Sequence, residues 1–182
     1  MDVLELKAID LAFGNHPKKN EVVVAQYVEF IVNGKPLSDL INEKFNLGKP
    51  VFSKFTSVLG TMELTNFDRL KIHQLLAHPV KEKDVEKLFP ADNFDQEPIL
   101  EELELDKILL YCCAECGDYR CSGCFAKITK GPKSFTWIIE NPVFSKDEKP
   151  DNSVELKFEF EQEAYHKVFK NYLKGLDEEN YI

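Results

Sequence analysis

Hydrophobic and polar positions alternate along several stretches of the chain, and near the C-terminus the period changes. Val154, Leu156, Phe158 and Phe160 alternate with Glu155, Lys157, Glu159 and Glu161, the pattern of a half-buried antiparallel strand. Tyr165, Val168, Phe169, Tyr172 and Leu173 then follow the i, i+3, i+4, i+7, i+8 stripe of an amphipathic helix. Glu161 and Glu163 near its start and Lys170 and Lys174 near its end suit the helix dipole, and Gly175 reads as its C-terminal cap.

Upstream, Val3 to Phe13 also alternates, but the phase flips between Ala8 and Ile9, which predicts a strand with a bulge. Glu21 to Val32 reads as a second strand, and Asn33-Gly34 as a tight turn, because both residues tolerate positive φ. Ser38 is expected to cap a short helix over Leu40, Ile41 and Phe45, closed by Gly48 and Pro50. Thr65 to Asp68 has capping-box spacing and predicts a helix that stops near His78-Pro79. Lys81 to Phe89 reads as a short charged helix, and Pro90 to Pro98 as loop. Strands are expected at Lys107–Cys113, Phe125–Thr129 and Phe135–Ile139, with the turn Lys130-Gly131-Pro132-Lys133 making the last two a hairpin. These elements predict an α+β fold in one domain, 1–182, mainly an antiparallel sheet with two to four helices.

Composition leaves that picture intact, since 182 residues with 43% hydrophobic and 30% charged suffice for a core. The N-terminus lacks the basic start and apolar run of a signal peptide. The longest apolar run, around Ile108 to Ala114, is far short of the ~20 residues a membrane helix needs. A soluble cytoplasmic protein without a membrane partner is the expectation. The net charge of -9 is uneven: residues 76–106 hold ten acidic residues against three lysines. That argues against nucleic acid, which calls for a basic face. It suits a basic protein partner, with Asp92, Asp95, Glu97, Glu101, Glu102 and Glu104 as the candidate contact residues.

All five cysteines fall within Tyr111–Cys124, where Cys113/Cys116 and Cys121/Cys124 form two C-x-x-C pairs. In a reducing compartment such spacing points to metal ligands or redox thiols before structural disulfides. Four thiolates match the ligand count of a closed zinc site, although only four residues separate the pairs. A redox dithiol would need a lowered thiol pKa, which Arg120 would favour and Glu115 and Asp118 oppose. Unreactive thiols are the third reading. His16, His73, His78 and His166 are scattered, and no phosphate-binding glycine loop, G-x-S-x-G or H-E-x-x-H motif is present.

From Leu109 to about Tyr165 the chain resembles a family of uncharacterised bacterial proteins with a Cys-Gly-Asp/Glu-x-x-Cys loop and a downstream Trp-bearing hairpin. Cys116, Gly117, Asp118, Cys121, Trp137, Phe158, Phe160 and Tyr165 carry the resemblance, and it implies no particular reaction. By type, as a small acidic α+β chain without a catalytic signature, it is similar to toxin-neutralising immunity proteins. The first functional expectation is therefore a non-enzymatic binding protein that neutralises a basic toxin. The alternative is a thiol-dependent oxidoreductase or zinc-binding protein built on Cys113–Cys124.

Overall fold

The turn at Asn33-Gly34 has φ of 53° and 77°, so both positions occupy the left-handed region that the sequence suggested. It closes a hairpin in a computed structural model that describes residues 1–13, 23–47, 55–60, 65–93, 95–113, 119–143 and 154–179. Gly14–Asn20 with His16, Gly48, Pro50, Cys116 to Asp118 and Lys146–Ser153 lie outside the described residues.

Strand β1 (Leu4–Phe13) pairs antiparallel with β2 (Val23–Val32), and β2 pairs with the two-residue β3 (Lys35–Pro36). A second antiparallel sheet runs in the order β4 (Phe55–Ser57), β5 (Ile108–Cys113), β6 (Gly123–Lys130), β7 (Ser134–Ile139), β8 (Leu156–Glu161). The sheets meet at both ends. Asp2 N–H donates to the Glu159 carbonyl at 2.7 Å, linking β1 to β8, and Val28 N–H donates to the Leu59 carbonyl at 3.3 Å, linking β2 to the end of β4.

Helix α1 (Leu37–Phe45) follows β3, while α2 (Asn66–Leu75), α3 (Glu82–Leu88) and α4 (Glu97–Glu104) lie between β4 and β5. Helix α5 (Gln162–Glu179) follows β8 directly. The class is α+β, with five helices among the described residues where two to four were expected.

Alternation on β7 and β8 points Phe135, Trp137, Ile139, Phe158 and Phe160 into the core, where Tyr165 and Phe169 of α5 meet them. Enclosing each aromatic side chain stabilises the fold by about 1.5–3 kcal/mol relative to leaving it in water. Trp137 satisfies its indole N–H by donating to the Tyr165 hydroxyl at 2.9 Å, which in turn donates to the Leu75 carbonyl at 2.7 Å. A smaller cluster of Leu70, Val85, Phe89 and Ile99 joins α2, α3 and α4.

The Thr65 capping box forms as expected. Its Asp68 is buried and also accepts from Gly60 N–H at 2.9 Å and from the Tyr172 hydroxyl at 3.3 Å, so the start of α2 is tied to α5.

Four local expectations are corrected. The register of β1 on β2 runs unbroken, so the phase flip is no bulge; the irregularity lies in β5, between Leu109 and Tyr111. Ser38 does not cap α1, because its hydroxyl donates to Glu29 instead. Gly175 lies inside α5 rather than at its end. The loop after Pro90 ends at Gln96, where Glu97 and Pro98 open α4; proline in a first turn lacks only an N–H that would be unsatisfied anyway.

Candidate functional site

Helix α4 sorts its carboxylates by face. Ile99 is buried, and Leu100 and Leu103 pack with it on Leu70, Val85 and Phe89. Glu97, Glu101 and Glu104 recur at the i, i+4, i+7 spacing of one helix face, and all three are exposed. With Asp95, Ala91, Gln96 and Leu100 they line an open surface depression, and Asp92 is exposed on the preceding turn.

Glu102 corrects the expectation of a partner contact. It is 7% exposed and accepts an ion-pair hydrogen bond from Lys71 Nζ of α2, itself 3% exposed. One turn beyond Ile99, it falls on the inward side of α4. Reading this segment as a charged run conceals that face, because only helical geometry separates Glu102 from Glu101 and Glu104.

The connection from β5 to β6 leans on the same helix. The Tyr119 hydroxyl donates to Glu101 Oε2 at 3.2 Å, and Arg120 Nη1 lies 3.8 Å from the same oxygen. The Tyr119 ring meets Phe125 edge-on, centroids 5.9 Å apart. Burial and the Glu101 and Glu102 carboxylates push the Tyr119 phenol up to about 12, so it stays a hydrogen-bond donor at neutral pH. The acidic stretch and the cysteine connection thus meet at Glu101.

The cysteines fall into different environments. Cys113 is buried at the end of β5 opposite Phe55, and Cys121 is exposed in the turn before β6. Cys124 is completely enclosed opposite Tyr111 and belongs to the main core. Burial, with Glu140 adding to it, pushes its thiol well above the ordinary range, the reverse of what a redox nucleophile requires. Gly123 has a packing reason: a Cβ there would come within 2.9 Å of the Phe125 ring and 3.2 Å of Leu109. Among the described residues no group of three or more His, Cys, Asp or Glu is placed to hold a metal ion. The quartet's fourth member, Cys116, lies outside them.

One polar centre was not anticipated. Glu29 of β2 is 1% exposed and accepts from the Tyr111 hydroxyl, the Ser38 hydroxyl at 2.7 Å, Phe30 N–H at 2.9 Å and the Tyr27 hydroxyl at 3.5 Å. Burial raises its carboxyl above the ordinary value, while the bonds from Tyr111, Ser38 and Phe30 work against that rise. The sole sequence signal is a carboxylate inside the apolar run Val28-Glu29-Phe30-Ile31. Enclosed and saturated with donors, Glu29 ties β2, β5 and α1 together and offers no substrate an approach.

No family model matches the chain, and comparison with curated proteins and with solved structures found no match either. Of the residues that carry the bacterial resemblance, Trp137, Phe158, Phe160 and Tyr165 are core, and Cys121 is surface. Among the described residues no helix is long and apolar enough to cross a membrane.

Proposed function

We propose that this is a binding protein of the immunity class, which docks a basic protein such as a toxin on the outward face of α4. One observation carries the reading: Asp95, Glu97, Glu101 and Glu104 gather beside Tyr119 and Arg120, which converge on Glu101. Tyrosine and arginine are the residue types that most often anchor interfaces. A surrounding rim of like charge speeds the approach of an oppositely charged partner by about 10- to 1,000-fold and selects against acidic ones. Affinity capture on the immobilised chain, followed by kinetics on the captured protein, tests the proposal. The expected result is a basic partner whose association rate falls steeply with salt and whose dissociation accelerates in Tyr119→Ala. A captured partner with salt-insensitive association would sink it.

A second reading keeps a zinc or dithiol site in the Cys113–Cys124 connection, favoured by the exposure of Cys121 close to that face. It requires about one zinc per chain in protein purified without chelator, or a disulfide that mild reductant opens. Chain with neither would retire it.

A further inference from the structure

Two histidines flank the end of α2, and a third, on α5, lies within electrostatic reach of them. His73 is in the last turn of α2 and His78 lies just beyond its end. The helix stops with Ala77 at φ 53°. His78 N–H donates to the His73 carbonyl at 2.9 Å, and Ala77 N–H to the Gln74 carbonyl at 2.8 Å. These are the paired bonds of a Schellman ending, which sets the residues before and after the cap side by side. The two imidazole centroids are 5.4 Å apart.

Helix α5 brings the third. Tyr165 stacks on Phe135 with centroids 4.3 Å apart, and its bond to the Leu75 carbonyl ties α5 to the end of α2. His166 then sets its ring 5.2 Å from the Phe135 centroid, and Lys130 Nζ stands 5.7 Å from the same centroid.

Lys130 supplies a fixed positive charge to this cluster, and the carboxylates of Glu161 and Asp106 lie beside it. Burial first, and then the charges of His73, Lys130 and His166, hold the His78 imidazole below the ordinary value. Glu161, which senses His166, already accepts from Ala164 N–H at 2.7 Å and Glu163 N–H at 3.1 Å. On the other side of His78, Asp106 and Lys107 line the adjoining cleft, and Lys107 is paired with Glu140 at 2.6 Å. The carbonyls of residues 72–75, the negative end of α2, are taken by Leu76, His78, Ala77 and Tyr165, which blunts the dipole's repulsion of an anion.

We propose that His73, His78, His166 and Lys130 form a binding site for a compact oxyanion of the phosphate class, with an affinity that rises as pH falls. A doubly charged anion relieves the repulsion between protonated imidazoles. By linkage, the anion raises histidine proton affinity as much as protons raise anion affinity.

The test is an NMR titration of the histidine ring C2–H resonances in the full chain. Sulfate, whose charge is constant over this range, reads the pH dependence; inorganic phosphate and phosphoserine distinguish a free anion from a monoester. Sulfate is expected to bind at least roughly tenfold tighter near pH 5.5 than near pH 7.5, within the roughly hundredfold that one linked proton allows over two pH units. Lys130→Ala and His78→Gln should each weaken it about fivefold, with an unchanged circular dichroism spectrum, as loss of one charge near a partly exposed anion predicts. Binding of either phosphate compound, or both, identifies the source. Resonances unmoved by all three anions, or equal sulfate binding in wild type and both variants, would overturn the site.

Discussion

Replacing Glu102 by Gln tests the joint between α2 and α4. In the wild type the Lys71 and Glu102 side chains are only 4% and 9% exposed, so each charge depends on the other rather than on water. Glutamine keeps the shape but leaves the Lys71 ammonium enclosed without a counter-ion, which costs about 3–5 kcal/mol. In a chain of this length each kcal/mol moves Tm by about 2–4 °C, so Glu102→Gln should melt roughly 6–20 °C lower. The double change Lys71→Met with Glu102→Leu removes both charges and should recover most of that loss, because buried pairs are commonly neutral against well-packed apolar residues. Urea melts of wild type, Lys71→Met, Glu102→Leu and the double variant give the coupling energy directly. A surface role for Glu102 makes the opposite forecast, with binding lost and stability kept. If Glu102→Gln costs less than about 1 kcal/mol, the worth of an exposed pair, the buried joint is wrong.

Three further outcomes follow from particular side chains. The folded-state pKa of Glu29 is raised above its ordinary 4.5, so the fold favours its protonated form. Wild-type stability should therefore fall, relative to Glu29→Gln, as pH climbs from 4.5 through the raised value; identical pH slopes in urea melts of the two proteins would refute this. Gly175 lies within α5 with no atom within 4 Å of a built Cβ, so Gly175→Ala should gain about 0.5–1 kcal/mol. A loss of stability in a thermal melt of this variant would mean that the helix ends there. In timed alkylation read by mass spectrometry, Cys121 should react quickly and Cys124 only at the rate of global unfolding, given exposure of one and full enclosure of the other. Rapid labelling of Cys124 in the native protein would contradict its place in the core.

Legibility in the sequence followed the length and purity of each pattern. The β8–α5 unit could be read because both periods are carried by large side chains with few exceptions, and Asn33-Gly34 and the Thr65 capping box because backbone chemistry demands those residues. Helix α4 was hidden because ten acidic residues in residues 76–106 resemble a solvated run, and its apolar positions are few. Glu29, Lys71 and Glu102 could not be read as buried. Their partners lie on β5, α1 and on helices 31 residues apart, and only tertiary pairing makes enclosing such charges tolerable. The approach of His166 to His73 and His78 depends on how α5 packs against the end of α2 and leaves no local trace.

The central claim is that a basic protein docks on the acidic face of α4. Its most direct test is the affinity of the captured partner for wild type, for Asp95→Lys with Glu101→Lys, and for Glu155→Lys, an exposed change beyond that face. The account predicts that the double reversal weakens binding by at least roughly a hundredfold, because two favourable charges become repulsive at the interface, while Glu155→Lys binds within about twofold of wild type. Equal affinity of the double reversal and the wild type would contradict it.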